Sequence, residues 1–365
     1  MKLETNTEQF FSAISVAARF VERRANLPVL TSILLIAESG RVLLRATNLE
    51  CGVEITVQAK VTEQGVAAVP ANTLLGFLSN TKDKSISLEH KGGVVEIKTN
   101  HTTASIKTLP PEDFPILPRV SATSSFTTKA SDFARAIRSV AYCASTSAIK
   151  PELQSILLFG NAGKLSAAAT DSFRLAEKTI PLRSAGGVPS ILIPARNATE
   201  LMRILEGHQG DVEMYYDENQ LATHVDSLYF TTRLIDGSFP NYQQIIPKTF
   251  TTEVVLLRED LSLSLKSLSV FSDKFSHLSM STEPKKKEVT LTSRNPDVGE
   301  QVSSIQATIS GEALTMSFNS RYLGDALQSI TGESIRIEAN GVGKPMLMKD
   351  AAENSFLYLV MPMNR

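Results

Sequence analysis

Leu30-Thr31-Ser32-Ile33-Leu34-Leu35 is met again as Leu153-Gln154-Ser155-Ile156-Leu157-Leu158, 123 residues further along the chain. Working outward from this pair, Ala46-Thr47-Asn48 returns as Ala169-Thr170-Asp171, and Phe10 as Phe133, at the same offset. Val69-Pro70-Ala71-Asn72 matches Ile193-Pro194-Ala195-Arg196 at 124, and Glu112-Asp113-Phe114-Pro115 matches Gly237-Ser238-Phe239-Pro240 at 125. Landmarks that keep one offset within two residues mark a duplicated unit. A fainter third copy puts Phe318-Asn319-Ser320-Arg321-Tyr322-Leu323 at 124 beyond Pro194, and residues 259–271 where the Phe10 and Phe133 segments stand. Three units of about 122 residues fill the 365, and a period this long means whole domains, since solenoid units repeat every ~20–50 residues. The expected domains are 1–120, 125–247 and 248–365, tethered by short polar segments near 119–125 and 247–252.

Each repeat reads as α+β. Phe10, Ile14, Ala17, Ala18 and Val21 recur at three- and four-residue steps, and Phe133, Ile137, Val140 and Ala141 do the same, giving one apolar helical face per repeat. A second, shorter helix opens at Pro70 or Pro194, where proline suits a first turn. The pattern predicts helices at 7–24, 70–84, 129–150, 194–206, 258–274 and 319–331. Between them lie alternating or β-branched runs bounded by turn residues, at 32–37, 42–46, 52–59, 85–89 and 94–99 in the first repeat, which predict antiparallel hairpins.

Composition narrows the function. Hydrophobic residues at 42% and charged residues at 21% exclude disorder over most of the length. No apolar run approaches the roughly 18 residues needed to span a bilayer, and the N-terminus lacks a basic segment followed by an apolar core. Cys51 and Cys143 stand 92 residues apart, with no disulfide framework or metal spacing, which fits a reducing cytoplasm. A net charge of −1, from 37 Lys and Arg against 38 Asp and Glu, gives no global pull towards nucleic acid. Placement is less even: the six predicted helices hold 15 basic and 10 acidic residues, and the remainder 22 and 28. Basic helices from several domains could line a surface for a polyanion, held by sequence-independent phosphate contacts from Arg19, Arg23, Arg24, Arg135, Arg138, Lys150 and Arg196. Lys285-Lys286-Lys287, between Glu283 and Glu288, reads as a solvated hairpin tip.

Catalytic signals are weak. The five histidines show no metal-ligand spacing, and no cofactor or catalytic residue is expected. Gly341-Val342-Gly343-Lys344 fails as a phosphate loop, because Glu338 holds the first glycine position and Pro345 follows the lysine. Ser147-Ala148-Ile149-Lys150 fits SxxK, but no SDN or KTG accompanies it, so a serine hydrolase is the third-ranked reading.

Three repeats of this length, the run Ala169-Thr170-Asp171-Ser172-Phe173-Arg174-Leu175-Ala176, the run Asp236-Gly237-Ser238-Phe239-Pro240-Asn241-Tyr242, and the ending Leu357-Tyr358-Leu359-Val360-Met361-Pro362-Met363 together resemble the bacterial DNA sliding clamp family, the beta subunits of DNA polymerase III holoenzymes. The resemblance covers essentially the whole chain. It implies three tandem DNA-clamp domains, each with two helices packed on antiparallel sheets. It further implies a head-to-tail homodimer closing a six-domain ring around double-stranded DNA, tethering the replicative polymerase catalytic subunit without enzymatic activity. A peptide groove between the second and third domains would receive polymerase, clamp loader and other clamp-motif proteins. By matching position the groove would use Leu153, Thr170, Ser172, Phe173, Arg174 and Leu175, then Pro240, Gln244, Ile245 and Pro345, and finally Val360, Met361, Pro362 and Met363. A pliable Met-lined pocket suits varied apolar anchors. The implied dimer contact pairs Ala104 and Ile106 with Val270 and Phe271.

The chain departs from the family pattern in places. Ser172-Phe173 stands where Gly-His is common, Gln244 where Arg is frequent, Ala25 where Pro is common, and Asn364 precedes the final Arg365. The first departure makes the groove more apolar and narrower, and the second removes a cation from its rim. The alternative reading is a peptide-binding scaffold of the same fold that does not encircle DNA.

Overall fold

The computed structural model describes residues 1–22, 26–120, 124–183 and 187–363. Among these residues six helices form where the apolar spacing predicts them: α1 (Thr7–Ala17), α2 (Ala71–Leu78), α3 (Ala130–Val140), α4 (Ala195–Leu205), α5 (Arg258–Leu268) and α6 (Ser320–Leu327). The side chain of Asn6 accepts a hydrogen bond from the Gln9 N–H and caps α1, which buries Phe10, Ala13, Ile14 and Ala17. Asn319 caps α6 in the same way through the Arg321 N–H.

Every helix is shorter than its sequence pattern. Beyond α1, Phe20 and Val21 continue the apolar spacing and are buried, yet the backbone there has left the helix. Periodicity records which side chains are buried, and an irregular segment lying on the core gives the same record as a helix. At α2 the stop is local: Ser79 and Asn80 donate side-chain hydrogen bonds to the Gly76 carbonyl, and Thr81 donates to Phe77. Shorter helices change the charge count, for α1 to α6 hold 7 basic and 6 acidic residues, so the basic excess sits in the segments flanking them.

Among the described residues the strands are all antiparallel and build two twelve-stranded sheets, one in each compact unit. The first unit comprises Met1–Ala130 and Arg203–Leu234, and the second Ser131–Met202 and Ile235–Arg365. In the first, the long strand Cys51–Glu63 pairs with Lys2–Asn6 and Arg41–Thr47 of its own repeat and with Leu228–Arg233 of the central repeat. In the second, Arg174–Pro181 of the central repeat pairs with Phe356–Val360 of the third. Compactness thus divides the chain through the middle of the central repeat, because its two sets of strands are each annexed to a neighbour's sheet. The strands Lys2–Asn6, Gly65–Pro70 and Thr103–Lys107 lie outside the sequence prediction. Pro70 closes the second of these and caps α2 instead of opening its first turn.

Close packing is visible at both sheets. In the first unit Phe20 meets Phe230 edge-on at 5.9 Å between ring centroids, and a Cβ on Gly52 would come within 2.4 Å of Leu117 Cδ2. In the second, Leu157, Leu175, Leu192, Tyr242, Leu347 and Leu359 form one buried cluster. Lys285, Lys286 and Lys287 occupy the turn between His277–Glu283 and Glu288–Asn295, with Lys286 paired to Glu283 at 2.8 Å. Among the described residues no helix is long and apolar enough to cross a membrane, and no group of three His, Cys, Asp or Glu could hold a metal. Cys51 and Cys143 are buried thiols, and burial pushes the Cys143 thiol well above its usual range.

Candidate functional site

The tripeptides Ala46-Thr47-Asn48 and Ala169-Thr170-Asp171 end strands that turn back through one and the same loop. In the second copy Thr170 Oγ1 donates to the Arg174 carbonyl and accepts from the Ser172 N–H, while Asp171 Oδ1 accepts from the N–H groups of Phe173 and Arg174. In the first copy Thr47, Asn48, Leu49, Glu50 and Cys51 repeat these four bonds in order. Short polar side chains that bond their own backbone two or three residues on are what make this turn. Ser172 sits at φ 76° and Leu49 at φ 71°. Each turn delivers a strand to a junction between repeats: Phe173 O accepts from the Met361 N–H, as Glu50 O accepts from the Arg233 N–H, both at 2.8 Å.

The two turns differ at their last residue. Cys51 is a buried thiol, whereas Arg174 is a half-buried hub. Arg174 Nε donates to Asp171 at 2.9 Å, Nη1 to Asp325 of α6 at 2.6 Å, and Nη2 to the Tyr142 carbonyl at 2.7 Å. Its guanidinium also lies 4.3 Å from the centre of the Tyr322 ring. Burial opposes the charge, but the hydrogen bond to Asp325, joined by that to Asp171, holds the group more firmly protonated than an ordinary arginine. One side chain therefore fixes the central repeat's turn to α6 of the third.

Around this hub the groove residues expected from sequence divide by burial. Leu153, Thr170, Leu175 and Val360 are buried, and Leu175 belongs to the core cluster. Phe173, Ile245 and Met361 are large apolar residues left exposed, Phe173 at 63%. Pro240, Gln244 and Ser172 are exposed, and Pro345, Pro362 and Met363 half-buried. Register sets Arg174 opposite Val360 and Met346, the neighbour of Pro345, opposite Val360 on its other side. The Met363 N–H bonds the Ser317 carbonyl, and Pro362 and Met363 help line a cleft of about 420 Å³ with Thr315, Ser317, Val342 and Gly343. Sequence reasoning missed Tyr142, Tyr322 and Asp325. Tyr322 lies in the run 318–323 of the third repeat, but nothing in that run marks it as an arginine's partner.

The cations expected to face a polyanion lie on or beside helices. Arg135 and Arg138 are exposed one turn apart on α3, with Arg135 paired to Asp132, and Arg196 is exposed in the first turn of α4. Lys150 is exposed in an irregular segment together with Ser147, and Arg19 is half-buried beyond the end of α1. Arg23 and Arg24 lie outside the described residues, as do Ala25, Asn364 and Arg365. Ala104 and Ile106 are on Thr103–Lys107, which ends its sheet and pairs only with Val94–Lys98 among the described residues. Val270 is 67% exposed on the turn Ser269–Phe271, and Phe271 is half-buried. Val298 and Val302, on and beside the strand Gly299–Gly311, are exposed apolar residues that sequence did not single out.

The chain is a threefold α+β repeat with this turn at two of its seams. Family models match all three: the DNA polymerase III beta subunit N-terminal domain over residues 1–118, the central domain over 127–241 and the C-terminal domain over 243–364. The chain belongs to the DNA polymerase III beta subunit family. It is 28% identical to the beta sliding clamp of Synechococcus elongatus over 372 residues, covering 99% of each chain. Among solved structures it is similar to the sliding clamp of Bartonella birtlesii bound to griselimycin, at 28% identity, TM-score 0.94 and full coverage of both chains. The griselimycin-bound sliding clamp of Pseudomonas aeruginosa matches at 25% identity and TM-score 0.94, again over both full lengths.

Proposed function

We propose that this protein is a cytoplasmic sliding clamp: two copies join head to tail into a ring that encircles duplex DNA and tethers the replicative polymerase. The observation that carries this reading is the end-to-end relation to the Synechococcus elongatus beta sliding clamp. Three domains per chain, 1–120, 125–247 and 248–365, give six around the ring. The free edge strand bearing Ala104 and Ile106 supplies unpaired backbone groups for the partner's Val270 and Phe271 segment, and a heterologous contact whose rotation closes yields a ring in place of a filament. Arg19, Arg23, Arg24, Arg135, Arg138, Lys150 and Arg196 face phosphates through screened, sequence-independent contacts, which allow sliding. Retention then follows from topology, and the protein is a processivity factor without chemistry of its own.

The surface around Phe173, Ile245, Met361 and Met363 receives the apolar tails of polymerase, clamp loader and other clients. Exposed methionine and aromatic side chains beside a rigid Arg174 hub combine a pliable wall with a fixed floor.

The test is retention on DNA. Loaded by its clamp loader onto a nicked circular plasmid, the protein should co-elute with the DNA and leave it when the circle is cut. Continued binding to the linear product defeats the topological mechanism. A protein that binds clamp-motif peptides but never stays on circles is the scaffold instead. Val270→Asp, at an exposed position, should convert the dimer to monomer in sedimentation velocity, and alanine at Met361 and Pro362 should abolish peptide binding while sparing the dimer.

A further inference from the structure

Lys178 is an oddity of the second compact unit. It lies in the strand Arg174–Pro181 with its side chain only 7% exposed. Its Nζ reaches the Ser355 hydroxyl at 2.5 Å and Glu353 Oε1 at 3.3 Å. Glu353 is a poor counter-charge, because its side chain is 53% exposed and the same carboxylate oxygen already accepts from the Ser355 hydroxyl. A buried ammonium is strongly penalised unless a charge of comparable burial faces it.

Lys178 also borders a cavity. Lys178 lines a cleft of about 700 Å³, of a size that takes a small organic ligand. Two further cations line it, Arg135 of α3 and Lys164, against one carboxylate, Glu353. The hydroxyls of Ser166 and Thr179, hydrogen-bonded to each other at 3.0 Å, stand on its wall, and the one that accepts in this bond can turn its proton outward. Beside them is the ring of Phe159, half-buried and packed against the core cluster, so that it forms a fixed apolar face. Cations, hydroxyls and one aromatic plate around a single cavity are the complement of a phosphate ester joined to a flat heterocycle.

We propose that this cleft binds a nucleoside phosphate, its phosphates against Lys178 and Lys164 and its base against Phe159. The site lies within one chain and one compact unit, and needs neither the ring nor duplex DNA. Arg135 serves both this cleft and the proposed DNA-facing set, so the test leaves it in place.

Isothermal titration calorimetry of the full-length protein with ATP, pyrophosphate and adenosine reads the assignment. ATP should bind, pyrophosphate more weakly and adenosine more weakly still. Lys164→Glu, at an exposed position, should fold normally, bind clamp-motif peptide as before, and lose at least about tenfold in ATP affinity through the lost charge-assisted contact. Lys178→Met should lose as much or more where its urea midpoint matches the parent, and Lys164→Glu decides the question where it does not. No binding of ATP to the parent protein, or an unchanged affinity in Lys164→Glu, overturns the site. Pyrophosphate binding as tightly as ATP overturns the role of Phe159 and with it the ligand class.

Discussion

Leu49 and Ser172 occupy one backbone conformation, at φ 71° and 76°, and only one of them suits it. Left-handed backbone is disfavoured for a branched apolar residue and tolerated by short polar ones. Leu49 is also half in solvent, so little burial offsets the strain. Leu49→Asn should therefore stabilise the protein by about 0.5–1 kcal/mol, read as a raised urea midpoint, and a lowered midpoint would show that Leu49 packs more than it strains. The neighbouring position makes the two turns diverge in role. Cys51 closes the first as a buried thiol, while Arg174 binds Asp171, Asp325 and the Tyr142 carbonyl and leaves Phe173 and Met361 standing proud.

At the scale of elements, the connection leaving the first repeat is strapped to its sheet. Arg119 lies 4.3 Å from the centre of the Tyr229 ring and bonds Glu54 at 2.6 Å, while the Tyr229 hydroxyl donates to the Pro118 carbonyl at 2.9 Å. Arg45 holds the other oxygen of Glu54 at 2.5 Å. Burial alone would raise the Glu54 pKa, but the hydrogen bonds from Arg119 and Arg45 together bring it below the ordinary 4.5. A depressed folded-state pKa stabilises above the unfolded value, and that contribution is lost as pH falls through the folded one. Glu54→Gln should accordingly lower stability at pH 7 by about 1 kcal/mol, a modest figure because Arg119 is half in solvent. The gap between the two proteins should close as pH drops below 4.5, read from urea midpoints across that range. A gap of constant size would mean that the strap acts through shape and not charge.

For the whole molecule, the seams between repeats are strand pairings. The first sheet runs from Thr103–Lys107 through Cys51–Glu63 to Leu228–Arg233 and on to Ser124–Lys129. A chain of residues 1–120 alone keeps the sequence repeat intact but strips the Leu228–Arg233 partner from Cys51–Glu63 and the Phe230 ring from Phe20. Such a fragment exposes a hydrophobic strand edge, the usual template for self-association. It should elute from size exclusion with light scattering as oligomers and unfold at a lower urea midpoint than the full chain. A monodisperse monomer of parental stability would show that the repeat, not the sheet, is the folding unit.

What is local and repeated could be read along the chain. The 123-residue offset, the apolar faces of α1 and α3, and the Thr-Asx turn are written in neighbouring side chains, so Thr47 and Thr170 could be paired before any fold was known. Met361 and Phe173 entered the proposed groove through the pattern of the chain's last residues and the 169–176 run, and both are exposed. The tertiary structure decided what depends on distant partners. The carboxylate of Asp325 reaches Arg174 across 151 residues, and the Tyr142 carbonyl across 32, and no spacing rule announces either. Helix ends were hidden for another reason: Phe20 is buried without being helical, and periodicity cannot separate the two. The division through the central repeat was decided last, because strand edges pair by backbone hydrogen bonds that every sequence can make, and only the assembled sheet selects which edges meet.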